Sequence, residues 1–92
     1  MRIEWSANAD ADLKAIAEYI EADRDLDTAN RVARKIYDAA ESLQRMPHRG
    51  RYGRIENTRE LVVPGLPYIM VYRVLPERVT VLNIVHSARR WH

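Results

Sequence analysis

Apolar residues recur with two different periods along this chain, and the change of period divides it. Residues 2–5, Arg-Ile-Glu-Trp, alternate polar and apolar as a short strand does. Leu13, Ile16, Ala17 and Ile20 then follow at three- and four-residue spacing, the single apolar stripe of an amphipathic helix. Ser6 or Asn8 can cap that helix by accepting from a free backbone N–H, and Asp10 and Asp12 fall in its first turns, where negative charge suits the helix dipole. Lys14 and Glu18 are spaced to meet on its solvent side. Glu21 to Asp27 is polar and reads as a helix end and a short connection, with Asp27 or Thr28 capping a second helix. Ala29, Val32, Ala33, Ile36, Ala40 and Leu43 form the second stripe, and Pro47 closes it. Two amphipathic helices this close in sequence pack as an antiparallel hairpin.

Beyond Pro47 the helical period is gone. Pro47 to Arg54 is irregular: Gly50 and Gly53 supply turn geometry, and Arg49, Arg51 and Arg54 crowd the segment. Strands are expected at 59–63, 68–75 and 78–86, separated by Pro64-Gly65 and by the tight connection Leu75-Pro76-Glu77. The whole chain, residues 1–92, therefore reads as one α+β domain: a strand, an antiparallel helix hairpin and a three-stranded antiparallel meander, with the helices on one side of a small sheet.

Alternation sorts the strand residues by face. Tyr68, Met70, Tyr72 and Val74 share one face of the middle strand, and Ile69, Val71 and Arg73 the other. On the last strand Val79, Val81, Asn83 and Val85 point one way, and Thr80, Leu82, Ile84 and His86 the other. Both faces are largely apolar, yet two helices cover only one. The second face is either wrapped by loops and the N-terminal strand or left for a partner, and an apolar patch beside arginines suits a protein segment.

Charge changes this picture. The net charge of +2 conceals a split. Residues 1–44 carry six basic against ten acidic side chains, and residues 45–92 carry nine against three. All nine of those basic residues are arginine, whose planar fork grips phosphate and carboxylate in pairs of hydrogen bonds. An anionic partner is implied, either nucleic acid or an acidic protein segment; a merely solvated basic face is the plain alternative.

The absence of cysteine excludes disulfides and thiolate metal sites and fits a reducing cytoplasm. No apolar run approaches the ~20 residues a bilayer crossing needs, and the N-terminus has no apolar signal core, so no membrane association is expected. His48, His86 and His92 are far apart in sequence without ligand spacing, so neither a metal nor a cofactor is expected. Ser6, Ser42 and Ser87 lack a nucleophile-elbow setting, and the 47–54 segment does not open a helix as phosphate-binding loops do. Arginine, histidine and tyrosine remain. Together they can cleave RNA without metal, given a base for the 2′-hydroxyl, a cation for the developing phosphorane charge and an acid for the leaving oxygen. The candidates for such a site are Arg59, Arg73, His86, Arg89 and His92. The plain alternatives are a structural hydrogen-bonding role for His86 and a solvated or ion-paired Arg73.

Taken together, the ordered pieces resemble the ParE/RelE superfamily of bacterial toxins. They are Trp5-Ser6, Ala11-Asp12-Leu13, Ile16, Tyr19-Ile20, then Leu43, Pro47 and Gly50-Arg51, then Thr58-Arg59-Glu60-Leu61, Pro67-Tyr68-Ile69 with Val71-Tyr72-Arg73, and finally Ile84-Val85-His86-Ser87-Ala88-Arg89-Arg90-Trp91. The resemblance covers essentially the whole chain. It implies the toxin half of a type II toxin–antitoxin module, arresting growth when free and neutralised by a cognate antitoxin whose helical, acidic C-terminal segment wraps around it. RelE-like members cut mRNA in the ribosomal A site; ParE-like members inhibit DNA gyrase. RelE-like cleavage relies on an arginine early in the central strand, a position that falls here on Ile69, and on a basic residue after the last strand, which Arg89 matches. The lysines that RelE uses ahead of the central strand have no counterpart, and Arg51, Arg54 and Arg59 occupy that region instead. The resemblance thus favours gyrase inhibition, with the ribosome-dependent nuclease as the alternative and a member that binds its antitoxin without harm as a third reading. Arg51, Arg54, Arg59, Arg73, Arg89, Arg90 and Trp91 are the candidate target-binding residues.

Replacing Arg89 and Arg90 together by alanine is expected to abolish toxicity in a growth assay while antitoxin binding persists. Full toxicity in a folded double variant would remove that pair from the site.

Overall fold

The computed structural model describes residues 1–88; the expectations placed on Arg89, Arg90, Trp91 and His92 lie outside the described residues. Strand β1 (Arg2–Trp5) leads into helix α1 (Ala7–Asp23) and helix α2 (Leu26–Glu41), which runs into a single 3₁₀ turn over Ser42–Gln44. Strands β2 (Arg51–Tyr52), β3 (Arg59–Val62), β4 (Tyr68–Val74) and β5 (Arg78–His86) follow. The expected α+β architecture and the β3–β4–β5 meander are present. Two strands extend the sheet, whose order is β1-β5-β4-β3-β2, with β1 parallel to β5 and every other pairing antiparallel. Strand β2 lies inside the segment expected to be irregular. It is two residues long and pairs only with the start of β3, too short for any alternation to reveal it.

The helix caps follow from side-chain chemistry. Ser6 caps α1, its Oγ accepting from the Ala9 N–H at 3.0 Å. Asp25, not Asp27 or Thr28, caps α2, accepting from the Thr28 N–H at 2.7 Å. That contact and the Thr28 hydroxyl draw the Asp25 carboxyl below its ordinary range. The polar run from Glu21 is thus mostly helix, because α1 continues through Asp23 and the connection is only Arg24 and Asp25. Lys14 and Glu18 are both exposed and form no ion pair.

The helices cover one face of the sheet. Ile36, Ala40 and Leu43 from the α2 side meet Leu61, Met70, Tyr72, Val79, Val81 and Ile84 from the strands, all buried. Helix α1 is held mainly through half-buried Leu13 and Ile16 and buried Ala9. Trp5 stacks on Tyr37 with ring centroids 6.5 Å apart.

Strict alternation fails in β5. Val81 pairs with Tyr72 and Asn83 with Val71, so Leu82 is an extra residue, a β-bulge. The bulge turns Ile84 to the helix side beside Val79 and Val81, and sends Asn83 and Val85 to the other face. It also sits where β1 ends, so β5 would expose an unpaired edge from Leu82 onward. Two α1 side chains close that edge. The Ser6 N–H donates to the Val81 carbonyl at 2.9 Å, and its hydroxyl donates to the Leu82 carbonyl at 2.8 Å. Asp12 Oδ2 accepts from the Ile84 N–H at 2.9 Å and from Asn83 Nδ2 at 3.3 Å. Paired backbone at an edge is a general requirement of stable sheets.

Ser6→Ala removes a helix cap and leaves the Leu82 carbonyl without its partner, so it should cost about 2 kcal/mol in urea unfolding. Asp12→Ala should cost a similar amount, and the double variant less than the sum, because both side chains brace one bulge. Strict additivity would contradict that shared role.

Candidate functional site

The arginine-bearing segment 47–58 is irregular in outline but tightly stitched to the sheet. Its anchor is the Tyr72 hydroxyl, which accepts from the Gly50 N–H at 2.9 Å and donates to the Pro47 carbonyl at 2.8 Å. Tyr72 is fully buried. A Cβ on Gly50 would stand 2.8 Å from that hydroxyl and 2.8 Å from the Glu60 carbonyl, so only glycine lets the backbone come this close. Burial holds the Tyr72 phenol above its ordinary 10.0; the Gly50 hydrogen bond and the Arg59 charge oppose the shift without reversing it. Glu60 is the second anchor. Its buried carboxylate accepts from Arg51 Nη2 at 3.0 Å and Nε at 3.3 Å, and from the Arg54 N–H at 3.2 Å. One of the three acids in the arginine-rich half thus neutralises Arg51 and ties down the backbone of Arg54.

Arg59 and Arg73 are held differently. Arg59 Nη1 donates to the Gly50 carbonyl at 2.8 Å and the His48 carbonyl at 3.3 Å, and the guanidinium lies 4.4 Å from the centre of the Tyr52 ring. Arg73 Nε donates at 3.3 Å to the carbonyl of Asn57, which has a left-handed φ of 64°. Among the described residues neither guanidinium pairs with a carboxylate. Both line an open cleft of about 790 Å³ between the 53–58 loop and the end of β4, together with His48, Tyr52, Glu56 and Leu75.

The face of the sheet away from the helices is different in character. Register places Val62 opposite Ile69 and Ile69 opposite Val85, so these three form a row across β3, β4 and β5. Val62 is exposed, Ile69 and Val85 are half-buried, and buried Val71 lies on the same face outside the core cluster. No titratable side chain stands in that row. Ile69 is four residues from Arg73 along the strand, about 13 Å.

The candidate residues thus separate. Arg59 and Arg73 share a cleft, and Arg51 is paired with Glu60. Arg54 is exposed at the loop tip with its own interactions. His86 lies at the opposite end of β4–β5: it faces Tyr68 edge-on at 5.4 Å, and its Nδ1 accepts from the Ala88 N–H at 3.1 Å. It is therefore not assembled with Arg59 and Arg73, and its contacts match the structural role weighed for it. Tyr52, Glu60 and the Tyr72 hydroxyl were not singled out by sequence reasoning. A lone glutamate among arginines, and a tyrosine two residues after a glycine, were the available signals.

A second open cavity, about 930 Å³, runs along the helix pair and is lined by Leu13, Arg31, Arg34, Lys35 and Tyr37 among others. Among the described residues no group of three His, Asp or Glu side chains gathers to hold a metal, and no helix is long and apolar enough to cross a membrane.

Comparison with known proteins gives a consistent result. The family described as ParE toxin of type II toxin–antitoxin system, parDE, matches residues 3–91. The chain is 42% identical over 90 residues to the putative toxin Y4kP of Sinorhizobium fredii, covering 98% of this chain and 92% of that protein. It is 40% identical over 88 residues to Toxin RelE2 of Caulobacter vibrioides, covering 96% and 97%. Its fold matches a structure of the chromosomal ParDE toxin–antitoxin system of P. aeruginosa with a TM-score of 0.87 at 24% identity, covering 94% of this chain and 95% of that one.

Tyr72→Phe strands a buried N–H and a buried carbonyl, so it should lower stability by about 2 kcal/mol at neutral pH. The raised phenol pKa adds a pH signature. The unfolded chain ionises first, so the wild type keeps this contribution below 10.0 and loses it as pH rises further. In urea unfolding at alkaline pH the variant should decline less steeply than the wild type. An equal slope would assign the decline elsewhere, for example to Tyr68, whose phenol burial also raises.

Proposed function

We propose, from the premise that the chain belongs to the ParE toxin family of type II toxin–antitoxin systems, that it arrests growth by inhibiting DNA gyrase. Family membership itself makes the chain a toxin with an antitoxin partner. The observation that carries the choice of target is the Val62–Ile69–Val85 row. The position where a RelE-like nuclease would carry its arginine is apolar, and so are its two cross-strand neighbours. Metal-free phosphodiester cleavage needs positioned cations and proton carriers around the scissile phosphate, and a row of branched aliphatic side chains offers neither.

The same row suits the antitoxin. An amphipathic, acidic segment can lay its apolar side chains on Val62, Ile69 and Val85 and its carboxylates toward exposed Arg51. The cationic cavity along α1 and α2, with Arg31, Arg34 and Lys35, offers a helical part of the segment a second seat. The arginine-rich loop and the C-terminal Arg89-Arg90-Trp91 then serve the target, and the toxin acts in the cytoplasm.

The relative named Toxin RelE2 favours a second reading, ribosome-dependent cleavage of mRNA without metal. One paired assay separates them. Purified toxin is expected to block gyrase supercoiling and to leave labelled mRNA on translating ribosomes intact. Normal supercoiling with codon-positioned mRNA cuts would sink the gyrase reading, and no effect in either assay would leave a harmless antitoxin binder.

A further inference from the structure

We propose that the cleft beneath the 53–58 loop is a nucleotide-binding site, with the phosphate held between Arg59 and Arg73 and the base laid against Tyr52. Three observations combine. Both guanidiniums are fixed in place by backbone carbonyls rather than by carboxylates, so they are oriented while their charge stays uncompensated among the described residues. Arg59 keeps Nε and Nη2 available, and Arg73 keeps both terminal nitrogens. A fork with free N–H groups is the donor set that grips phosphate in paired hydrogen bonds. Against these two cations and the His48 imidazole the cleft sets one carboxylate, Glu56.

Tyr52 supplies the rest of the specificity. Its ring is 82% exposed although Arg59 lies over it. An aromatic face beside a cationic groove is how proteins hold the bases of single-stranded nucleic acid. The volume, about 790 Å³, is in the range of small-ligand clefts. An acidic peptide would offer carboxylates to the arginines but leave Tyr52 without a flat partner, which is why a nucleotide is the better occupant. The loop is built to hold this shape: the Gly53 N–H donates to the Thr58 carbonyl at 2.8 Å, and the Thr58 hydroxyl donates to the Ile55 carbonyl at 2.6 Å. Because the cleft is about 13 Å along the sheet from Ile69, the inference is independent of which target the toxin arrests.

The test is calorimetric titration of the purified full chain at low ionic strength, where screening is weakest. The probes are adenosine monophosphate, inorganic phosphate, a short single-stranded oligonucleotide and an acidic peptide. Saturable binding of the monophosphate, tighter than phosphate alone, is expected. Arg73→Gln, which keeps a donor for the Asn57 carbonyl, should weaken it roughly tenfold or more. Tyr52→Ala, at an exposed position, should weaken the monophosphate roughly tenfold and leave phosphate unchanged. Either free nucleotide or oligonucleotide as the tighter ligand supports the site, and their order identifies the source. No saturable binding of either nucleotide probe, indifference to both substitutions in folded protein, or saturation by the acidic peptide alone would overturn it.

Discussion

The Tyr72 hydroxyl, buried between the Gly50 N–H and the Pro47 carbonyl, is the contact on which the functional half of this toxin depends. It joins the central strand to a loop that has almost no regular structure of its own. Arg59 donates to the carbonyl of the same Gly50, so the placement of its guanidinium follows from where Tyr72 holds the backbone. Tyr52 comes with it, one residue beyond Arg51 on the two-residue strand β2. A buried phenol with both of its hydrogen bonds satisfied is a rigid joint, because breaking it would strand polar groups away from water.

From that joint the positive charge of the C-terminal half divides into kinds. Arg51 is neutralised by buried Glu60, and Arg78 by Glu4 at 3.1 Å. Arg59 and Arg73 are not neutralised by any carboxylate among the described residues. Counting arginines would have treated these residues as one basic patch. Their partners separate a structural pair from a pair available to a ligand. The apolar row through Ile69 lies apart from both, on the helix-free face. Recognition of a protein segment and recognition of an anion thus have separate places on a small molecule.

Periodicity made much of the fold legible. The stripes through Ile16 and Ile36, and the alternation through Met70 and Tyr72, identify the helices, the middle strand and its buried face because each repeats long enough to be read. Three things were not legible for physical reasons. The Leu82 bulge inverts the faces of the end of β5, and nothing in a run of branched apolar residues marks where an extra residue enters. Strand β2 exists only because β3 offers it an edge. Asp25 rather than Asp27 caps α2 because several acids in the connection share the same chemistry and only the tertiary fold selects among them. At the site, the apolar character of Ile69 was readable from the family resemblance. Its Val62 and Val85 neighbours needed the strand register, and the sorting of arginines by partner needed coordinates.

The central claim is that the helix-free face, built around Ile69, is a surface for holding a protein segment and not a place of chemistry. The most direct test is methyl NMR on labelled toxin titrated with its antitoxin. The account predicts that the methyl signals of Val62, Ile69 and Val85 shift together on binding, while buried Val79 and Val81 on the helix side move little. Unperturbed Val62, Ile69 and Val85 signals in a saturated complex would contradict it.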